Sequence, residues 1–178
     1  MDCIRSLLIA PVLGLALAGA SPAHAEGGGF CQDLWAREAP PAPDSGQQWK
    51  LTFSPIVYHW KYDPDHKPAF IFALEQRVAG NRFCGLSLFR NSFGQPSAYA
   101  YVGQRWDHFW GMPQLSVKLT AGVIYGYTGQ YEDKVPFHWN GFFPGVAPSL
   151  VYQFTPRDSL DLVVLGTAAV AFAYSRNF

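Results

Sequence analysis

Charged residues are scarce in this sequence of 178 residues. Asp, Glu, Lys and Arg together make up 15% of it, compared with roughly a quarter in soluble domains. The 13 basic and 13 acidic residues cancel, so no excess of positive charge points to nucleic acid as a partner. The low charge indicates a surface that does not face water everywhere.

Long apolar runs are also missing beyond the N-terminus. No later stretch reaches the roughly 18 unbroken apolar residues of a membrane-spanning helix, which excludes a second helical span. The short apolar run SLLIAPVLGLALAGA follows Arg5 and is succeeded by an A-x-A pattern at residues 23–25. These features predict a signal peptide over residues 1–25, and an uncleaved membrane anchor is the alternative.

Cysteine is rare, with three in the whole chain. Removal of the signal peptide would leave Cys31 and Cys84. An exported protein meets an oxidising compartment, which favours a disulfide between them. Sequence does not fix their separation, so two free buried thiols remain the alternative.

Residues 26–48 form a distinct segment before the main domain. In FCQDLWARE, apolar residues recur four apart with charged residues opposite, which predicts one short amphipathic helix. The Pro-rich stretch APPAPDSGQQ then ends it. We interpret residues 26–48 as a periplasmic helix and linker that lies at a membrane surface or packs on the following domain.

From Trp49 onward the hydrophobic pattern has a period of two, which is typical of β-strands. In a soluble sandwich the apolar face of each strand would point into the core. In a membrane barrel it would point to lipid, and the small or polar face would fill the interior. The export signal, the aromatic residues at strand ends and a C-terminal Phe178 on the apolar face favour the barrel.

The predicted fold is therefore all-β: an eight-stranded antiparallel transmembrane β-barrel over residues 49–178, preceded by the short helix. An even strand number suits a bacterial barrel, and eight strands leave an interior filled by side chains rather than an open pore. Pro55, Pro144 and Pro148 cannot donate to a ladder, so they predict gaps or bulges between strands. The expected strands cover residues 49–61, 69–77, 83–90, 98–106, 115–127, 142–154, 158–165 and 168–178.

This topology brings His59, Asn91 and Ser92 to the outer rim of the barrel. A histidine beside a serine is the usual arrangement for activating a hydroxyl, and it suits acyl transfer. The alternatives are that Ser92 is a turn residue and that His59 lies at the membrane interface. The stretch HWKYDPDH lacks zinc-like spacing, so we expect neither a metal nor a cofactor.

Several blocks, in this order, resemble the lipid A palmitoyltransferase (PagP) family of outer-membrane enzymes. They are SPIVYH at the end of the first strand, FRNSF at the end of the third, TAGV in the fifth and FFPGVAPSLVY in the sixth. The resemblance implies a barrel that moves a palmitoyl chain from phospholipid to lipid A, using a rim His, Asp and Ser. His59 and Ser92 match two of these, whereas Asn91 stands where the family has Asp.

We therefore expect a monomer in the bacterial outer membrane whose partners are phospholipid and lipid A. His59 would be the base, Ser92 the nucleophile or proton relay and Asn91 the orienting group, with Asp63 or Asp65 as substitutes for the missing acid. Strict alternation places His59 on the lipid face unless Pro55 introduces a bulge. A non-enzymatic small barrel with a structural, surface-interaction or apolar-solute role is the alternative, and a soluble periplasmic sandwich is a third.

Overall fold

Eight antiparallel strands close into a single barrel in the computed structural model, which describes Cys31 and residues 48–178. The expected signal peptide and N-terminal helix lie outside the described residues. None of the helices in the described part is long and apolar enough to cross a membrane. The strands are β1 (Trp49–His59), β2 (Phe70–Arg77), β3 (Arg82–Arg90), β4 (Pro96–Trp106), β5 (Leu115–Tyr125), β6 (Phe142–Gln153), β7 (Asp158–Leu165) and β8 (Ala169–Asn177).

The predicted fold class is confirmed in strand number and in closure. Each strand pairs with its sequence neighbour, and β1 closes the barrel against β8. We call one end of the barrel the loop end, where the connections are residues 60–69, 91–95, 126–141 and 166–168. The opposite turn end carries connections 78–81, 107–114 and 154–157 and both termini of the barrel.

The apolar faces of the strands point outward, as a membrane barrel requires. Leu86 and Leu88 of β3 are 46% and 57% exposed, while Ser87 between them is 5% exposed. Lys118 and Asp161 are almost fully buried in the lumen. The arrangement is the reverse of a water-soluble core, so the small and polar faces fill the interior.

A bulge in β1 determines the direction of His59. The register between β1 and β8 shifts by one residue between Phe53 and Ile56, on either side of Pro55. The Ser54 hydroxyl lies 3.0 Å from the Ile56 carbonyl and 2.8 Å from that of Phe172, and thus hydrogen-bonds where the ladder is interrupted. The extra residue reverses the alternation, which turns His59 inward instead of toward lipid.

Two gaps interrupt the wall at the loop end. The β6–β7 ladder pairs only residues 149–153 of β6, so residues 142–148 have no partner in β7. This unpaired stretch contains Pro144 and Pro148, whose nitrogens cannot donate to a ladder. The β1–β2 ladder likewise stops at Ser54, which leaves residues 55–59 unpaired on that side.

A disulfide joins Cys31 to Cys84, with 5.6 Å between the two Cα atoms. Cys84 lies on the outer face of β3, so Cys31 packs on the outside of the barrel near the turn end. The Cys31 amide donates to the Gln76 side-chain carbonyl at 3.0 Å. The hydrogen bond gives a partner to the outward-facing side-chain carbonyl of Gln76, which would be costly to leave unpaired against lipid.

Candidate catalytic site at the loop end

His59 and Ser92 form a direct hydrogen bond across the loop end. The His59 Nε2 atom lies 2.5 Å from Ser92 Oγ, although the residues are 33 positions apart. His59 ends β1, and Ser92 lies in connection 91–95. The Lys67 amide donates to the Ser92 carbonyl at 2.7 Å, so connection 60–69 holds the serine loop in place.

Asn91, the third predicted site residue, hydrogen-bonds to the backbone of its own loop. Its side chain is 2% exposed, and Oδ1 accepts hydrogen bonds from the Phe93 and Gln95 amides at 3.0 and 2.9 Å. The Gln95 side chain in turn donates to the Thr128 carbonyl at 3.0 Å. Asn91 therefore supports the loop that carries Ser92, and none of its side-chain hydrogen bonds in the described part of the chain goes to His59.

Replacing Asn91 with alanine is expected to loosen this loop. Two backbone amides would lose their acceptor, at a cost of about 1–3 kcal/mol. In Asn91→Ala, hydrogen exchange measured by NMR should accelerate roughly 5- to 150-fold at the Phe93 and Gln95 amides. Asn91→Asp keeps Oδ1 and should keep most of the protection. Equal protection in wild type and Asn91→Ala would contradict the supporting role.

Tyr127 also lies at the site but was not predicted there, because the expected fifth strand, residues 115–127, runs through it. The strand ends earlier, at Tyr125, and positive φ angles at Gly126 and Tyr127 (149° and 57°) break the alternation. Burial raises the pKa of the Tyr127 phenol, and the nearby Ser92 hydroxyl offsets part of that rise. The phenol therefore keeps its proton at neutral pH and is able to donate.

Aromatic rings cover the His59–Ser92 pair. The His66 ring lies 4.3 Å from that of His59 and 5.5 Å from that of Phe93. Phe93 stacks on Tyr131 at 4.4 Å, which connects the serine loop to connection 126–141. These contacts shield one side of the pair from water.

No carboxylate lies within salt-bridge distance of His59 in the described part of the chain. The Asp63 side chain accepts a hydrogen bond from the Asp65 amide at 2.9 Å within its own turn. Asp133 approaches a different histidine, His138, at 3.5 Å. Residues 48–178 and Cys31 also contain no cluster of three or more His, Cys, Asp or Glu residues arranged to hold a metal ion.

Two cationic side chains converge beside the serine loop. A Cβ atom built on Gly94 would lie 2.9 Å from the Lys67 side chain and 3.1 Å from the Arg90 guanidinium. Arg90 Nε donates to the Gly94 carbonyl at 3.2 Å. Neither cation forms an ion pair with a described residue, so the rim next to Ser92 is locally positive.

The lumen changes character with depth. Near the turn end, Lys118 contacts Glu75 at 2.6 Å and Lys50 contacts Asp161 at 2.6 Å. Tyr101 lies above them and donates to Glu75 at 3.1 Å. Toward the loop end the inward side chains are mostly small or apolar: Val57, Ile71, Ala73, Phe89, Ile124, Val163, Leu165, Ala169, Ala171 and Ala173. The His59–Ser92 pair lies at the apolar end.

No protein-family model matches this sequence, and no curated protein matches it. A solved structure described as "De novo design of transmembrane beta-barrels" is similar, with a TM-score of 0.54 and 13% sequence identity. The match covers 75% of this chain and 98% of that one. At this identity the likeness concerns the fold, and together with the outward apolar faces it defines a small transmembrane β-barrel.

Proposed function

We propose that this barrel is a monomeric outer-membrane acyltransferase that moves a palmitoyl-like chain from phospholipid to lipid A, as the resemblance to the PagP family implies. The supporting observation is the 2.5 Å contact between His59 Nε2 and Ser92 Oγ. A serine hydroxyl needs a base to become a good nucleophile, and this histidine is within reach of its proton. The pair also lies where an acyl ester would meet the apolar end of the lumen.

The reaction is an exchange of esters and needs no cofactor. His59 Nε2 takes the Ser92 proton while Oγ attacks the ester carbonyl of the phospholipid. The ester C–O bond breaks, and the departing lysophospholipid oxygen takes the proton from His59. A lipid A hydroxyl then attacks the acyl-serine and gives its proton to His59, which returns it to Ser92. Tyr127, whose phenol lies near Ser92, donates to the oxyanion.

The wall and the lumen provide a route and a space for the acyl chain. The gap along residues 142–148, where β6 has no partner in β7, offers lateral access from the membrane. The apolar lumen surface packs around the acyl chain. The charged residues near the turn end limit how far the chain enters, because contact with hydrocarbon would desolvate their charges at a high cost. Asn91 acts on Ser92 through the loop rather than on His59.

The positive patch formed by Lys67 and Arg90 is suited to the phosphate group of a lipid. Both side chains lie against Gly94, two residues from Ser92. Guanidinium and ammonium groups bind phosphate through charge-assisted hydrogen bonds. A phosphate held there would bring the adjacent ester close to the serine hydroxyl.

Replacing Ser92 with alanine is expected to abolish lipid A acylation, with a loss of at least about 10²-fold. Lipid A would be extracted from cells expressing each variant and analysed by mass spectrometry, with folded protein quantified by heat-modifiable gel mobility. Ser149→Ala is the matched control, because Ser149 is a buried lumen serine far along β6 from the site. His59→Ala should behave like Ser92→Ala. Wild-type acylation in both site variants would refute the proposal.

The second candidate is a non-enzymatic barrel with a structural role or an apolar solute in its lumen. It is favoured by Asn91, which stands in place of the acid of the family. In the described residues no other carboxylate replaces that acid beside His59. Under this alternative, wild type itself adds no acyl chain to lipid A, and the His59 and Ser92 variants are indistinguishable from it.

A further inference from the structure

A small polar cavity opens at the turn end of the lumen, away from the candidate catalytic site. Its volume is about 20 Å³, which is room for about one water molecule or an ion of similar size. Among the described lining residues, four side chains are cationic and one is anionic. The described lining residues are Lys50, Glu75, Arg77, Asn81, Phe83, Arg105, Lys118 and Asn177.

Three of the four cations are matched by carboxylates. Lys50 contacts Asp161 at 2.6 Å and Lys118 contacts Glu75 at 2.6 Å. Arg105 contacts Asp107 at 2.5 Å. Arg77 makes no ion pair with any residue that the structure describes. The side chains around the cavity therefore carry one positive charge in excess.

The hydrogen bonds around Arg77 keep it separate from the nearest carboxylate. Arg77 donates to Asn81 Oδ1 at 2.8 Å, and Asn81 Nδ2 donates to Asp107 Oδ2 at 2.9 Å. The other oxygen of Asp107 accepts from Arg105 and from Ser116, at 2.5 and 2.9 Å. Asp107 therefore accepts three hydrogen bonds, none of them from Arg77. Among the described residues, Asn81 is the one partner of the five N–H donors of the Arg77 guanidinium.

We propose that this cavity binds one small inorganic anion of the size of chloride, with Arg77 as its principal ligand. A half-buried guanidinium without a counterion is costly, and a bound anion would remove that cost. Because Lys50, Lys118 and Arg105 are each paired with a carboxylate, the excess charge at this point is that of Arg77. The free space is of the order of one water molecule, so it suits a halide better than a larger oxyanion such as sulfate. This site is independent of acyl transfer at the loop end.

Chlorine-35 NMR of the purified barrel in a non-ionic detergent tests the proposal. Wild type should broaden the chloride line in a saturable way, and Arg77→Gln should lose that broadening. Arg157→Gln is the matched control, because this arginine lies on the exposed connection 154–157 of the same end, and it should retain the broadening. No saturable broadening in wild type, or unchanged broadening in Arg77→Gln, would overturn the proposal.

Bromide provides a second test that uses wild type alone and does not depend on the folding of a variant. Bromide should displace chloride in the NMR experiment, and bromide-soaked crystals should show an anomalous peak beside the Arg77 guanidinium. Sulfate at matched ionic strength should displace little. Displacement by sulfate as effective as that by bromide, or the absence of a peak beside Arg77, would contradict an anion site of this size.

Discussion

Replacing Glu75 with alanine is expected to destabilise the barrel by about 3–5 kcal/mol. Glu75 accepts two hydrogen bonds from Lys118, at 2.6 and 2.7 Å, and one from Tyr101 at 3.1 Å. Its loss leaves a buried ammonium whose nearest remaining carboxylate oxygen is 3.9 Å away, on Asp161. The destabilisation arises from this uncompensated charge more than from the loss of an attractive pair.

Urea unfolding from phospholipid vesicles would measure the change in the free energy of unfolding. Asp133→Ala, whose side chain is 98% exposed, is the control for the loss of a carboxylate and should change stability by less than about 0.5 kcal/mol. The double variant Glu75→Leu with Lys118→Met removes both charges and should recover most of the loss. A Glu75→Ala barrel as stable as wild type would show that the lumen is hydrated enough to screen Lys118.

The strand architecture was largely predictable because lipid imposes a strict alternation. In β3 the exposed Leu86 and Leu88 flank the buried Ser87, and period-two patterning alone identifies the two faces. The prediction that the fifth strand extends to residue 127 was wrong, because left-handed backbone at Tyr127 ends the ladder at Tyr125. A glycine marks a position where positive φ is expected, whereas a tyrosine in the sequence gives no such indication.

The candidate site was only partly accessible from sequence. Alternation counted from Leu51 puts His59 on the lipid face, and only the bulge beside Pro55 turns it inward. Proline marks that position as a possible bulge, but the number of extra residues depends on how β8 pairs with β1. The supporting role of Asn91 follows from a buried loop geometry that residue type alone does not specify.

The central claim is that the outward apolar faces lie in hydrocarbon, and the depth dependence of an introduced charge tests it most directly. Leu86 lies at the middle of β3, whereas Leu160 lies near the turn end of β7; they are 46% and 55% exposed. The two leucines therefore differ mainly in depth.

The measurement is the free energy of unfolding from phospholipid vesicles for wild type, Leu86→Arg and Leu160→Arg. Arginine at the bilayer centre costs about 2–4 kcal/mol and near the interface about 0–1 kcal/mol. We expect Leu86→Arg to fall in the first range and Leu160→Arg in the second. Equal and negligible costs at both positions, with the protein folded in buffer without lipid or detergent, would contradict the transmembrane barrel.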